Sequence, residues 1–280
     1  MKTMTKQDKS QQGVNVLVKA MLLTLLFLVG GWRVRRGVSY HKHKEGKTMR
    51  YKDFEQIISS ERMSRYVAAC GGDTRKAMTL YRYNVELSLS VFAIIGYFEV
   101  ALRNAIDKQL TANLGSEWLK DSVMANGIFT NPILAKTQSI ILFAYNKLQR
   151  NAAYSHTKLL AEMEFGIWKY MFSPLQYRMT GRNLLLIFPN RPRSSASVQY
   201  NPSYVFNELD KINTLRNRIA HHEPICFPTQ SDEIYTDYIL NEYQKMMALL
   251  QWMGIDKNKF LFGLDHVHCV CAKIDRLKPV

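Results

Sequence analysis

The sequence predicts an all-α fold, and two observations carry that prediction. Glycine and proline are sparse, at 14 and 8 of 280 residues, whereas leucine, methionine, alanine, lysine and arginine are plentiful. Apolar side chains also recur every three or four residues in most segments, which is the period of an α-helix. With 47% hydrophobic residues, the chain has a globular composition and is long enough for one large domain or two small ones.

The first helices of the body are expected from residue 50 onward. Apolar spacing predicts a helix over Tyr51–Val67, and Cys70-Gly71-Gly72-Asp73 should break it. Asp73 or Thr74 can cap the next helix, which is predicted over Thr74–Ser88.

A long apolar helix is predicted over Phe92–Leu110 and placed in the core, because its first half is apolar on all sides. Glu99 and Arg103 lie inside it, four residues apart on one face, where they can pair. The presence of Glu99 and Arg103 within this segment argues against a transmembrane helix.

The second half of the body is also expected to be helical. Helices are predicted over Ile133–Arg150, Ser155–Phe172, residues 201–223 and Tyr235–Met253. Asn201 and Pro202 provide a cap and a first turn for the third of these helices, and Pro224 should end it. The segment His266-Val267-His268-Cys269-Val270-Cys271 alternates in character and is expected to be a short strand or an irregular tail.

The helix predicted over 201–223 has a core-facing stripe at 4-3-3-4 spacing, formed by Val205, Leu209, Ile212, Leu215 and Ile219. Its end carries a dense polar cluster, made of Arg216, Asn217, His221, His222 and Glu223. Asn217 and His221 share a face roughly opposite the stripe, so they should point away from the core. Arg216 and His221 are about 140° apart on an ideal helix, so one helix does not align them on a single phosphate.

These residue types suit the cleavage of RNA without a metal. Such a reaction needs a base for the 2′-hydroxyl proton, an acid for the leaving 5′-oxygen and a cation for the phosphate. Histidine can serve as base or acid near neutral pH, and arginine gives bidentate contact to a phosphate. Asn217 could orient a phosphate or a histidine, and Glu223 could fix a histidine tautomer. The alternative is that the two histidines only terminate a helix, where a cationic imidazole suits the C-terminal dipole.

The net charge of +15 is uneven along the chain. Residues 1–50 hold 11 basic and two acidic residues, whereas the remaining 230 residues carry an excess of six positive charges. A basic body suits a polyanionic partner such as RNA, although an excess of six is also ordinary for a soluble surface.

The first 48 residues contain a short apolar stretch within Val14–Trp32, flanked by basic residues. Its uninterrupted core, residues 20–29, is short for a membrane span. A start of the natural protein at Met49 or a disordered basic extension is favoured over a weak membrane anchor, so a cytoplasmic location is expected, with membrane association as the alternative.

The four cysteines, Cys70, Cys226, Cys269 and Cys271, form no C-x-x-C pair and suggest a reducing compartment. His266, His268, Cys269 and Cys271 are metal-ligand types, but their spacing matches no trusted zinc pattern. No metal and no cofactor is expected.

The pattern Arg216-Asn217-x3-His221 resembles the R-x4-6-H motif of the HEPN superfamily. The longer string Leu215–Ile225 resembles the Abi-like (abortive infection) proteins of the AbiD and AbiF type. Three further stretches agree with that family, Arg50–Leu80, Phe98–Ile106 and Phe165–Trp168. The resemblance covers residues 49–255.

This resemblance implies a HEPN-like helical bundle with additional helices, a role in bacterial phage defence and an RNase toxin activity. It implies a homodimer whose two motifs meet in one cleft, with Arg216 and His221 as the catalytic pair and Asn217 as polar companion. His222 and Glu223 are supporting residues, and Glu99, Arg103 and Asn104 form a possible second signature. Arg103 either pairs with Glu99 as a prop, which is favoured, or reaches RNA.

Three domains are expected, the extension 1–48, the helical domain 49–255 and a tail 256–280. The leading hypothesis is a metal-independent endoribonuclease toxin. The alternative is a non-catalytic RNA-binding or regulatory HEPN module, possibly tethered to a membrane. The sequence does not indicate the RNA target, the trigger or an antitoxin.

Overall fold

The structure, a computed structural model, describes residues 49–279, and these residues form α-helices and short 3₁₀ helices but no β-strand. The predicted all-α class is therefore confirmed. The expectations for the extension 1–48 lie outside the described residues. The α-helices of the described part are α1 (Tyr51–Ile58), α2 (Ser60–Ala69), α3 (Thr74–Leu114), α4 (Trp118–Asp121), α5 (Ala135–Arg150), α6 (His156–Glu162), α7 (Phe165–Tyr170), α8 (Pro174–Met179), α9 (Pro202–Ala220), α10 (Asp237–Trp252), α11 (Lys257–Phe260) and α12 (Val267–Asp275). The 3₁₀ helices are Pro132–Leu134 and Leu184–Ile187.

The chain divides into two compact units. The described residues of the first unit are 49–94, 216–241 and 264–279, and those of the second unit are 95–215 and 242–263. The boundaries fall within α3, α9 and α10, so each of these helices contributes residues to both units.

The core of the first unit is built around aromatic side chains. The ring of Tyr66 lies 5.3 Å from the rings of both Tyr81 and Phe227, measured between centroids, in edge-on geometry. Such pairs contribute about 0.5–1.5 kcal/mol beyond their buried area. The aliphatic side chains buried in this unit include Leu80, Leu87, Ile225, Ile239, Val270 and Ile274.

The core of the second unit holds the stretch Phe165–Trp168, which resembles a family signature. Phe165, Ile167 and Trp168 on α7 are buried, and the ring of Phe165 lies 6.3 Å from that of Phe98 on α3. This signature therefore serves packing.

The helix α3 is one continuous helix of 41 residues, so the prediction of two helices interrupted between residues 88 and 92 is wrong. The hydroxyl groups of Ser88 and Ser90 donate to the carbonyl oxygens of Asn84 and Glu86, at 2.8 and 2.9 Å. Serine bonded in this way fits within a helix.

By length and composition α3 could cross a membrane. The core helix of a soluble protein meets the same test, and α3 supplies buried side chains to both units, among them Leu80 and Phe98.

The chain turns sharply at two places near its beginning. The expected helix over Tyr51–Val67 is wrong in one respect, because Ser59 takes a φ of 89° and separates α1 from α2. The predicted break before α3 is present, with Gly71 and Gly72 at positive φ. The carboxylate of Asp73 accepts from the N–H groups of the next residues, Arg75 and Lys76, at 2.9 and 3.0 Å, and caps α3.

The helix α9 begins as its sequence indicates, since Asn201 Oδ1 accepts from Tyr204 N at 2.9 Å and Pro202 lies in the first turn. Its predicted stripe is buried at every position. The helix ends at Ala220, three residues before the predicted end at Glu223.

The end of α9 is a Schellman motif centred on His222. Glu223 N donates to Arg218 O at 2.9 Å, His222 N donates to Ile219 O at 3.0 Å, and His222 has a φ of 56°. Glycine is the usual residue there, because a Cβ atom is disfavoured in the left-handed region. A histidine in this position costs stability, and such costs tend to be retained where a side chain has a function.

The segment from Val267 to Cys271 is helical and His266 directly precedes the helix, so the expectation of a strand or irregular tail is wrong. Val267, Val270, Cys271 and Ile274 are buried, which is the stripe of an amphipathic helix. The alternation of residue types in the sequence suggested a strand, although the apolar residues have helical spacing.

A cluster of charged side chains lies within the second unit. Glu208 is 5% exposed, and its Oε1 lies 3.0 Å from Lys211 Nζ. Glu242 is nearby, and burial raises the pKa of its carboxyl, with the charge of Glu208 acting in the same direction and that of Lys211 opposing it. The Oε2 atom of Glu242 is buried and has no hydrogen-bond partner in the described residues.

Replacement of His222 by glycine should stabilise the protein by about 1 kcal/mol, because it removes the penalty of a Cβ atom at this φ. The same replacement at His221, whose φ is not positive, should give no such gain. Chemical denaturation of the two variants measures the difference. A glycine at 222 that left the protein no more stable than a glycine at 221 would contradict this explanation.

The pH dependence of stability should change when Glu242 is replaced by glutamine. Because the pKa of the Glu242 carboxyl is raised in the folded state, stability falls as the pH rises through and above the ordinary value of 4.5. Glu242→Gln should therefore raise stability at pH 7, and the gain should vanish as the pH falls below about 4.5.

Glu117→Gln is the matched control, because a hydrogen bond from Tyr154 lowers the pKa of Glu117. That carboxylate adds stability above its unfolded pKa, so the control should lose stability at pH 7. Urea denaturation at several pH values measures the stability of both variants. Equal effects of the two substitutions would contradict the explanation from the raised pKa of Glu242.

Candidate functional site

The polar cluster at the end of α9 lies entirely in the first unit. Its members differ sharply in exposure, since Arg216 is buried, Asn217 is half-buried, and His221, His222 and Glu223 are exposed. The two histidines are therefore accessible to a ligand, while the arginine is held within the protein surface.

Arg216 is only 6% exposed, and no carboxylate among residues 49–279 lies within 4.0 Å of its guanidinium nitrogens. Its one hydrogen bond to a described residue runs from Nη1 to Asn217 Oδ1 at 3.4 Å. Buried charges are nearly always paired, because removal from water is costly. A guanidinium without a counter-charge is therefore suited to bind an anion.

Asn217 extends this preference for anions. Because its amide oxygen accepts from Arg216, its Nδ2 group is left as a donor. Arginine and an amide nitrogen side by side form a donor-rich surface, which fits the oxygens of a phosphate.

The backbone keeps Arg216 and His221 apart. His221 N donates to Asn217 O at 2.9 Å, so the α-helical pattern continues to His221 and the last turn is not unwound. The two side chains keep a separation of about 140° around the helix axis. An unwound last turn, which could bring the two side chains together within one chain, is therefore absent from the described residues.

The segment after the histidines, residues 224–227, crosses the interior without regular structure, and side chains satisfy its backbone. Asn84 Oδ1 accepts from the N–H groups of Ile225 and Cys226, at 2.8 and 3.0 Å. Arg218 Nη2 donates to the carbonyl oxygens of Pro224 and Phe227, at 2.7 and 3.0 Å.

Two tyrosines complete the set of bonds to this segment. The hydroxyl of Tyr238 donates to Ile225 O at 2.5 Å, and Tyr235 N donates to Cys226 O at 3.0 Å. All four carbonyl oxygens of residues 224–227 are therefore hydrogen-bonded. The segment is fixed by partners from three parts of the chain.

Arg218 is the centre of this arrangement. Besides the two carbonyl oxygens, it contacts Glu223 Oε2 at 3.3 Å and Tyr238 Oη at 3.0 Å. Glu223, which was expected to bond to a histidine, thus contacts an arginine instead, and within residues 49–279 it has no hydrogen bond to a histidine. The tautomer role expected for Glu223 has no contact to support it.

Sequence reasoning missed Arg218, Asn84 and Tyr238. Arg218 lies between motif residues, so nothing in its type set it apart from a solvated surface arginine. Asn84 lies on α3 between Tyr83 and Val85 and is 5% exposed. A buried asparagine must find partners, which is the one signal that could have identified it.

The other titratable groups near the segment are poor reactants. Burial raises the pKa of the Cys226 thiol and of the Tyr238 hydroxyl well above their ordinary values. Burial likewise raises the pKa of Cys70. Thiolates are the reactive form of cysteine, so these residues are not candidates for a nucleophile.

The possible second signature lies in the second unit. Arg103 Nε donates to Asn104 Oδ1 at 3.3 Å, which repeats the contact between Arg216 and Asn217. Unlike Arg216, Arg103 is half-buried, as is Glu99, and Asn104 is exposed. The pairing of Arg103 with Glu99 stays a prediction.

The histidine and cysteine residues of α12 are divided between its faces. Cys271 is buried, whereas His266, His268 and Cys269 are exposed. Within the described part of the chain there is no group of three or more histidine, cysteine, aspartate or glutamate side chains placed to hold a metal ion.

Comparison with known proteins gives a family for this chain. The family model described as Abi-like protein matches residues 44–226, and that range ends just beyond the Arg216–Glu223 cluster. No curated protein and no solved structure matches the chain significantly. The match covers more than half of the chain and suggests a role in abortive infection, a bacterial defence against phage. The chain belongs to the Abi-like protein family.

Proposed function

We propose that this protein is a metal-independent endoribonuclease toxin of phage defence, working as a homodimer in which Arg216 and His221 of two copies share one cleft. The observation that carries the proposal is the buried guanidinium of Arg216, which has no carboxylate within 4.0 Å in the described residues and lies on the same helix end as exposed histidines. A phosphate of RNA supplies the missing counter-charge.

The reaction is a transesterification within the RNA strand. His221 accepts the proton of a 2′-hydroxyl, and the freed oxygen attacks the adjacent phosphorus. The bond from phosphorus to the 5′-oxygen breaks, and a second histidine, His222, donates a proton to that oxygen. The products are a 2′,3′-cyclic phosphate and a 5′-hydroxyl end.

Arg216 stabilises the charge that develops on the phosphate during this reaction. A pentavalent phosphate carries more negative charge on its oxygens than the substrate does, and a fixed guanidinium binds it more strongly as the charge grows. Asn217 Nδ2 offers a further donor to the same oxygens.

The proposal requires two copies of the chain because Arg216 and His221 point in directions about 140° apart around the axis of α9. The helical hydrogen bond to His221 keeps that separation within one chain. In a symmetric dimer each motif is placed twice around a two-fold axis, so an arginine of one copy can approach a histidine of the other. HEPN ribonucleases, which the motif resembles, are assembled in this way.

We also propose that the protein is located in the cytoplasm. RNA targets are cytoplasmic, and the four cysteines are free, which suits a reducing compartment. The trigger and any antitoxin are left to experiment.

His221→Ala should lower the rate of RNA cleavage by about 100-fold or more, the usual contribution of a general acid or base. Because His221 is exposed, the melting temperature should not change. Arg216→Lys should also lose activity, since lysine keeps the charge but not the planar geometry. His266→Ala, which removes an exposed histidine outside the cluster, is the matched control.

The measurement is cleavage of total RNA by purified protein in the presence of EDTA, with 2′,3′-cyclic phosphate ends scored. Full activity of His221→Ala or Arg216→Lys would refute the catalytic pair. RNA binding without cleavage by the wild-type protein would instead favour the alternative, a non-catalytic RNA-binding module. Loss of activity with EDTA would contradict the metal-independent mechanism.

Mixing two inactive variants tests the shared cleft. In a dimer of Arg216→Ala with His221→Ala, one of the two sites combines an intact arginine with an intact histidine. An equal mixture should therefore recover about a quarter of wild-type activity, because half of the dimers are mixed. If both residues acted within one chain, the mixture would stay inactive, and sedimentation of a monomer at working concentration would also exclude the dimer.

A further inference from the structure

The histidine turn is held in a conformation that its own sequence does not favour. His222 adopts a φ of 56° without being glycine, and only two backbone bonds close the Schellman motif around it. The direction in which the chain leaves the turn must therefore be fixed from outside, by the segment that follows.

Two N–H groups of that segment, those of Ile225 and Cys226, are bound by a single side chain. Ile225 and Cys226 are fully buried, so their N–H groups have no access to water. Asn84 Oδ1 accepts both, at 2.8 and 3.0 Å, across 141 and 142 residues of sequence. Both bonds depend on one oxygen atom.

The carbonyl oxygens of the same segment are bound by other residues. Arg218 and Tyr238 donate to the oxygens of Pro224, Ile225 and Phe227. Arg218 lies on α9, on the same helix as the cluster, and moves with it. Asn84 lies on α3, so it is the residue that ties the turn to a separate and longer helix of the first unit.

We propose that Asn84 is a positioning residue of the candidate site, whose amide oxygen sets the conformation of the His221–His222 turn by holding the backbone of Ile225 and Cys226. This inference rests on the proposed function for its effect on catalysis. Its effect on the turn does not, because the hydrogen bonds exist whatever the protein does. Asn84 itself is buried and touches no substrate.

Asn84→Leu removes the acceptor but keeps four side-chain heavy atoms branched at Cγ, and Asn84→Asp keeps an acceptor oxygen in the same place. Ser88→Ala is the control, because it removes a local hydrogen bond on the same helix without touching the turn. If Asn84→Leu does not fold, Tyr238→Phe is the substitute, because it removes the hydrogen bond from the hydroxyl to the carbonyl oxygen of Ile225. Melting temperature and circular dichroism establish folding for each variant.

Hydrogen exchange of the peptide 221–228 is the first readout and does not depend on any activity. Asn84→Leu should speed exchange in this peptide more than tenfold, while Asn84→Asp and Ser88→Ala stay close to wild type. Tyr238→Phe should speed it less. Unchanged exchange in a folded Asn84→Leu or Tyr238→Phe would overturn the proposal, as would equal acceleration over the whole chain.

Cleavage of a short fluorescent RNA is the second readout. Asn84→Leu should lower kcat by tenfold or more and leave the Kd for RNA within about threefold, and Asn84→Asp should restore kcat. Wild-type kcat in Asn84→Leu would overturn the role in catalysis. If the wild-type protein does not cleave RNA, the proposed function has failed, and the exchange experiment alone decides whether Asn84 holds the turn.

Discussion

The arrangement of the candidate site depends on one constraint, that a buried backbone must satisfy its polar groups. Residues 224–227 run through the interior of the first unit outside any helix, with Ile225, Cys226 and Phe227 fully buried. An unpaired N–H or carbonyl there would cost about 1–3 kcal/mol. Side chains from α3, α9 and α10 therefore take the place of secondary structure, and their positions define the path of the chain after the histidines.

Arg216 and Arg218 are two residues apart, but their guanidinium groups differ in hydrogen bonding. Arg218 donates to two backbone carbonyl groups and also contacts Glu223 and Tyr238. Arg216 is more deeply buried, and within residues 49–279 its one hydrogen bond is the long contact to Asn217. An arginine with satisfied donors stabilises the fold, whereas Arg216, with no carboxylate within 4.0 Å in the described residues, is the arginine that we propose to bind a phosphate.

The sequence was sufficient for features that depend on local chemistry. The buried stripe of α9 from Val205 to Ile219, its cap at Asn201 and the break before Asp73 all follow from residue type and spacing, and the structure has each of them. The sequence failed where tertiary packing decided the outcome. The alternating residue types of His266–Cys271 predict a short strand or an irregular tail, but Val267, Val270 and Ile274 are buried on one face of a helix, α12.

The candidate site shows the same division. Arg216, Asn217 and the two histidines are recognisable because they lie together in sequence. Asn84 and Tyr238 lie far from the cluster along the chain, and their roles arise from hydrogen bonds that periodicity cannot reveal. Arg218 was visible but could not be separated from a solvated arginine, because its partners are backbone oxygens. Glu223 was assigned to a histidine and contacts Arg218 instead.

The hydrogen-bonded segment 224–227 also limits how the activity of this protein can be regulated. A chain whose four consecutive carbonyl oxygens are all occupied has little freedom to act as a hinge, so the histidine turn is ready-made rather than assembled on demand. Under the proposed function, the turn would therefore have its active conformation as soon as the chain folds. Restraint must then come from the level of expression, from the meeting of two copies, or from a molecule that occupies the exposed histidines.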